Sequence, residues 1–215
     1  MSLVLHNYFR SSSSTRVRAA LNLKGLAFDY IPHHLRKGGQ TAPDYLKLNP
    51  QGLVPALQLE SGDVLVQSLA IMEYLDEVHP TPALLPRDPV DRAYVRALAL
   101  AIACEIHPIN NLRVLGDIRQ RFGADDEAVN IWFRHWVDVT FRPLEQTLAN
   151  DGRRGLFCFG DEPGLADICI LAQVINNKRF AVDMAPYPTL SAIYQNCLAV
   201  PALAAALPDK QPDAE

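Results

Sequence analysis

Apolar and polar positions alternate at the start of the chain: Leu3, Leu5 and Asn7 fall on one side, Val4 and His6 on the other, which predicts a strand. Val17, Ala20 and Leu21 then follow at helical spacing up to Gly25, so residues 11–14, all serine, become the turn between strand and helix. "FDYIPHHL" reads as a second strand and "PDYLKLNP" as a short helix stopped by Pro50. "VPALQLE" and "DVLVQS" are two strands joined around Ser61-Gly62, after which Ser68 caps the helix "LAIMEYLDEVH". The order β-α-β-α-β-β-α predicts a small mixed sheet with helices on its faces.

Four prolines between Pro80 and Pro89 make a stiff connector, and beyond them no period-2 run stands out. "DRAYVRALALAIACEIHPINNLRVLGDIRQRF", "DEAVNIWFRHWVDVTFRPLEQTLAND", "GLADICILAQVINNKRF" and "TLSAIYQNCLAVPALAAAL" all carry helical patterning, and "PDKQPDAE" reads as a frayed tail. The expectation is an α+β chain with a sheet-bearing domain over 1–82 and an all-helical domain over 90–215.

Composition excludes several classes. With 49% hydrophobic residues in 215, the chain can bury a substantial core, and 20 Lys and Arg against 24 Asp and Glu argue against a phosphate-backbone binder, so no nucleic-acid partner is expected. Cys104, Cys158, Cys169 and Cys197 form no CxxC pair and sit in apolar contexts, as expected of reduced core residues in the cytoplasm. A charged leader followed by a long apolar run is absent, and nowhere do eighteen apolar residues follow one another, so neither export nor membrane insertion is expected. No glycine-rich phosphate loop or His/Cys ligand cluster is evident, and no metal is expected.

The four serines raise the first chemical question. One hydroxyl is accounted for by capping a helix, but four leave hydroxyls at the positive end of a helix dipole, where an anion such as a thiolate is favoured. Arg10, Arg16 and Arg18 add positive potential, although an arginine in such a place is more often a solvated surface charge. "NPQGLVPAL" places Val54-Pro55 just before a strand, where a cis bond would expose the backbone of Val54; the isomer is not written in the sequence. Gln67 and Ser68 open a helix, a dipole end suited to a carboxylate. In "EIHPINNLRVL", Pro108 disrupts a helix while the spacing of His107, Asn110 and Asn111 puts them on a similar face. In "DEPGLADICI", Gly164 occupies a helix cap, leaving Asp167 alone to bond back to the backbone, and Trp132 and Trp136 share a helical face suited to packing.

Taken together, "SSSSTRVRAALNLKG", "LNPQGLVPAL", "QSLAIMEYLDE", "HPTPALLP" and "FAVDMAPYPTL" resemble the zeta class of the soluble glutathione transferases, which includes maleylacetoacetate and maleylpyruvate isomerases. The class usually carries Ser-Ser-Cys-Ser where this chain has four serines, so Ser13 stands at the cysteine position. The resemblance implies a thioredoxin-like first domain that binds glutathione, a helical second domain that binds substrate, a homodimer, and glutathione-dependent cis–trans isomerisation of a maleyl keto diacid. It implies Ser11 as main donor to the glutathione sulfur with Ser12 and Ser13 alongside, and Val54 pairing its backbone with the cysteinyl part. Gln67 and Ser68 would hold the γ-glutamyl end and Gln40 and Gln51 the glycine end, with His107 and Asn111 also in the binding set. Arg10, beside the serines, would join Arg113 and Arg179 in a clamp on the substrate's carboxylates. A conjugating or dehalogenating transferase and a non-catalytic binding protein of the same fold are the alternatives; retention of the serines favours an enzyme.

Overall fold

Strand β1 (Leu3–Asn7) lies inside a four-stranded sheet of order β2-β1-β3-β4 in the computed structural model, which describes residues 3–215. Met1 and Ser2, the first positions of the expected first domain, lie outside the described residues. Helix α1 (Ser12–Leu23) carries the chain to β2 (Phe28–Pro32), which pairs parallel to β1 with Leu5 opposite Tyr30. After α2 (Pro43–Leu48), strands β3 (Ala56–Gln58) and β4 (Val64–Val66) form an antiparallel pair, β3 also running antiparallel to β1. Helix α3 (Ser68–Val78) packs beside α1. This is the mixed sheet with helices that the pattern predicts, with shorter strands than the apolar runs suggest.

Among the described residues, 3–84 form one compact unit together with 198–215, and 85–197 form the other. The last segment, expected with the helical domain, thus groups with the sheet. Its short helix α9 (Pro201–Ala204) packs on α1.

Helix α1 is buried nearly all round, and that corrects the expectation that Arg16 and Arg18 are solvated: each is 1% exposed. The run Thr15 to Leu21 offers no polar face, so a helix enclosed on every side must bury its arginines. Arg18 satisfies its guanidinium completely, donating to Asn7 Oδ1 (2.9 Å), Thr15 Oγ1 (2.9 Å) and the carbonyls of Tyr8 (3.3 Å), Phe9 (3.0 Å) and Ala206 (3.0 Å). Burial lowers its pKa to about 10, opposed by Tyr30 and Asp213, so it stays charged at neutral pH. The tail is not frayed: the Asp213 carboxylate accepts the Phe9 N–H at 3.2 Å and the Tyr30 hydroxyl, and Glu215 meets His34 at 3.0 Å.

In the second unit, α4 (Pro89–Leu100) passes into a π-helical segment (Ala101–Ile106), followed by α5 (Leu112–Phe122), α6 (Asp126–Asn150), α7 (Leu165–Arg179) and α8 (Pro188–Ala199). Asp167 accepts the N–H groups of Gly164 and Cys158, both at 2.8 Å, which is the one-sided cap its sequence box predicts. Sequence gave no sign that Glu145 of α6 caps α8, accepting from the N–H groups of Thr189 (2.8 Å) and Leu190 (2.9 Å). None of the four cysteines is in a disulfide; Cys158, Cys169 and Cys197 are buried as expected, whereas Cys104 is exposed. Among the described residues no helix is long and apolar enough to cross a membrane, and no group of three or more metal-ligating side chains forms.

A histidine pair in the sheet unit gives a pH prediction. His6 Nδ1 and His33 Nε2 are 3.0 Å apart, with the Tyr45 ring against His33 at 4.1 Å between centroids. Burial lowers both pKa values, and His33 lowers that of His6 further. The folded chain therefore binds fewer protons than the unfolded one, so this contribution to stability is present above the ordinary histidine value of 6.5 and is lost as pH falls below it. Tm should drop as pH falls through that value, and His33→Gln should flatten this part of a calorimetric Tm profile. An unchanged profile in the variant would contradict the assignment.

Candidate active site

The turn after β1 gives each serine a distinct place. Ser11 is the N-cap of α1 in extended backbone, its Oγ accepting the Ser14 N–H at 3.2 Å. Ser14 is fully buried and accepts the Tyr8 N–H at 3.4 Å, so it holds the turn together rather than facing a ligand. Ser12 is 7% exposed. Ser13 donates its one hydroxyl proton to the Val54 carbonyl at 3.0 Å, and its Oγ lies 3.1 Å from Ser11 Oγ. Because that proton is committed, the Ser11 hydroxyl is the donor to Ser13. This corrects the picture of hydroxyls standing free at the helix dipole: they run in one direction, Ser11 to Ser13 to Val54.

The partner segments come from loops pinned by their own chemistry. The Val54-Pro55 bond is cis, and Val54 is 8% exposed. The Asn49 side chain bridges the Leu53 carbonyl (2.8 Å) and the Gln51 N–H (3.1 Å). Gly52 has φ +61°, and a Cβ there would stand 3.3 Å from the Gln40 carbonyl, so the loop needs glycine to keep Gln40 beside it. Gln67 caps α3 with φ 70° and ψ 113°, a left-handed value that a non-glycine residue adopts at a cost of about 1–3 kcal/mol, the kind of strain that clusters at ligand sites. Its Nε2 meets Gln51 Oε1 at 3.4 Å. Ser68 is buried, its Oγ accepting from Arg16 Nη1 at 3.3 Å.

The first unit therefore brings together Ser11, Ser13 and Val54, joins Gln51 to Gln67, and ties Ser68 to Arg16, a residue that the sequence pattern left among surface charges. Arg10 is half-buried with its guanidinium 5.0 Å from the centre of the Phe9 ring.

In the helical unit, the expectation of a shared face for His107, Asn110 and Asn111 is corrected, because the chain turns there instead of continuing as helix. His107 N–H closes the π-helical turn on the Ile102 carbonyl at 3.0 Å. Asn110 is buried and donates to the Phe133 carbonyl at 3.2 Å. Asn111 caps α5, its Oδ1 accepting from Arg113 N and Val114 N, both at 3.1 Å. Arg113 is exposed in the first turn of α5, where the helix dipole opposes a cation. Arg179 is exposed at the end of α7, donating to Asn176 Oδ1 at 3.2 Å. Trp132 and Trp136 pack edge to face at 5.7 Å, and Trp132 Nε1 donates to the Ile109 carbonyl at 3.2 Å, in keeping with packing.

Residues 10–78 match the family model of the glutathione S-transferase N-terminal domain. A maleylpyruvate isomerase of Ralstonia sp. is 47% identical over 97% of this chain and 98% of its own length. A holo maleylpyruvate isomerase, a bacterial glutathione S-transferase of the zeta class, superposes with a TM-score of 0.96 at 46% identity, covering 99% of this chain and 100% of the other. The chain belongs to the zeta class of the glutathione S-transferases. A maleylacetoacetate isomerase of Methylobacterium extorquens AM1, solved with malonate and glutathione bound, gives 0.95 at 39% identity over 99% of both chains.

Proposed function

We propose that the chain is a glutathione-dependent cis–trans isomerase converting a maleyl keto diacid, maleylacetoacetate or maleylpyruvate, to its fumaryl form. The observation that carries the reading is the oriented hydroxyl chain Ser11–Ser13–Val54 at the start of α1, together with the isomerase relatives. The residues present fit glutathione: hydroxyl donors and a helix N-terminus suit a thiolate, and a strained Gln67 with buried Ser68 at a second helix N-terminus suits a carboxylate. When bound, glutathione supplies a thiolate whose reversible addition to the conjugated double bond permits rotation.

Ser11 would turn its proton from Ser13 toward the sulfur and, with the α1 dipole, hold the thiol ionised. Ser13 and Ser12 stand beside it, Val54 offers its backbone to the cysteinyl part, and Gln67 and Ser68 take the γ-glutamyl end. Gln40 and Gln51 take the glycine end, and His107 and Asn111 complete the binding set. The sheet-bearing unit then serves glutathione binding and residues 85–197, rather than 90–215, substrate binding. Arg10, Arg113 and Arg179 orient the diacid and favour the enolate that forms as the double bond opens. A cytoplasmic homodimer belongs to the same reading.

The arginines supply the test. Replacing Arg113 and Arg179 by Met keeps the apolar stems and removes the forks. A charged hydrogen bond is worth roughly 1.5–3 kcal/mol, so each change should lower kcat/KM for the diacid about ten- to one-hundred-fold, with glutathione affinity nearly constant. Full diacid turnover in the double variant would remove both residues from the clamp.

A further inference from the structure

We propose that Asp213 is a positioning residue for the turn that carries Ser11, acting through the peptide N–H of Phe9. The activity arm of this proposal rests on the glutathione reading; the structural arm does not.

Every peptide group of Tyr8 and Phe9 is held. Tyr8 N–H donates to Ser14 Oγ at 3.4 Å, and the Tyr8 carbonyl accepts from the Ser11 N–H at 3.0 Å and from Arg18 at 3.3 Å. The Phe9 carbonyl accepts from Arg18 at 3.0 Å, and the Phe9 N–H donates to Asp213 Oδ2 at 3.2 Å. All but the last of these partners lie on the strand-turn-helix segment itself. Asp213 is distant in sequence by 204 positions, so a tail residue supplies the final constraint on a peptide two residues from Ser11.

The carboxylate suits the task. It also accepts the Tyr30 hydroxyl from β2, and the charge of Arg18 faces it, while Arg18 in turn grips the Ala206 carbonyl at 3.0 Å. Burial and Asp213 together raise the pKa of Tyr30, which keeps that hydroxyl protonated as a donor. A carboxylate accepting a peptide N–H makes a charge-assisted bond, stronger than a neutral one. The outer contacts from Glu215 to His34 and to Lys37 (3.4 Å) are exposed and contribute little. The clasp is therefore Asp213 and not the tail's charge in general.

Asp213→Ala would leave the Phe9 N–H without its acceptor and let the turn relax. Displacement of a reacting group by about 1 Å costs up to ~10²-fold in rate, and a partial shift is expected to cost roughly tenfold. Three readouts at a temperature well below Tm test this: amide hydrogen exchange of the peptide spanning residues 8–14, the pKa of bound glutathione's thiol by thiolate absorbance, and kcat/KM. In Asp213→Ala, exchange should quicken, the thiol pKa should rise toward that of free glutathione, and kcat/KM should fall roughly tenfold. Asp213→Asn keeps the volume and one acceptor and should lie between Ala and wild type in all three.

If Asp213→Ala does not fold, Asp213→Asn is judged by the same measures against wild type. A lower Tm with exchange over 8–14 and thiol pKa at wild-type values would make Asp213 structural only and overturn the proposal. A wild-type chain that binds no glutathione would overturn the functional reading instead, and exchange over 8–14 alone would then decide on the clasp.

Discussion

Ser11→Ala is expected to lower kcat/KM for the diacid by at least ~10²-fold, the cost of removing one preorganised donor to a developing or resident anion. This hydroxyl already sits at the N-cap of α1 and points along the line to Ser13 and Val54, so a rotation about its Cβ–Oγ bond alone turns the proton toward a sulfur while Oγ stays on the cap. Loss of the cap to Ser14 N–H should cost about 0.5–2 kcal/mol of stability as well. The two effects separate, because Tm reports the cap and the pKa of the bound thiol reports the donor. The thiol pKa should rise in the variant. Unchanged turnover would move the donor role to Ser12 or Ser13.

Arg18→Met is expected to be the most damaging change to stability, about 3–5 kcal/mol, because it removes one member of a buried charged network and leaves the others in place. The guanidinium is 1% exposed and holds the carbonyls of Tyr8, Phe9 and Ala206 together with Asn7 Oδ1. Its loss also deprives Asp213 of the cation facing it. Methionine fills part of the volume but bonds none of these groups, so the orphaned acceptors set the cost. Urea denaturation should show a lower midpoint with an unchanged slope. A loss below about 1 kcal/mol would mean that water or a neighbouring side chain replaces the guanidinium.

Local signals were legible and long-range ones were not. Alternation at Leu3 to Asn7, the hairpin at Ser61-Gly62 and the helix start at Ser68 are set within a few residues, and each appears where the pattern puts it. The cap by Asp167 was legible because both partners of its bond to Gly164 lie within one turn. Asp213 is hidden in the sequence because its partners, Phe9 and Tyr30, lie far along the chain. Arg16 and Arg18 lie in the run Thr15 to Leu21, whose other side chains are small or apolar, a signal for complete burial that charge alone conceals. For His107 to Asn111, helical spacing misled because the segment is a π-helical turn followed by a new cap, and π-helical hydrogen bonding has no residue pattern of its own. Motif position located the serines at the helix start, but which hydroxyl donates to which followed only from the bond between Ser13 and Val54.

Product analysis with maleylpyruvate and maleylacetoacetate, each with and without glutathione, tests the central claim most directly. The fumaryl product should form only when glutathione is present, with the glutathione recovered in full at the end. Stoichiometric loss of glutathione into a conjugate, or no isomerisation of either acid, would contradict it.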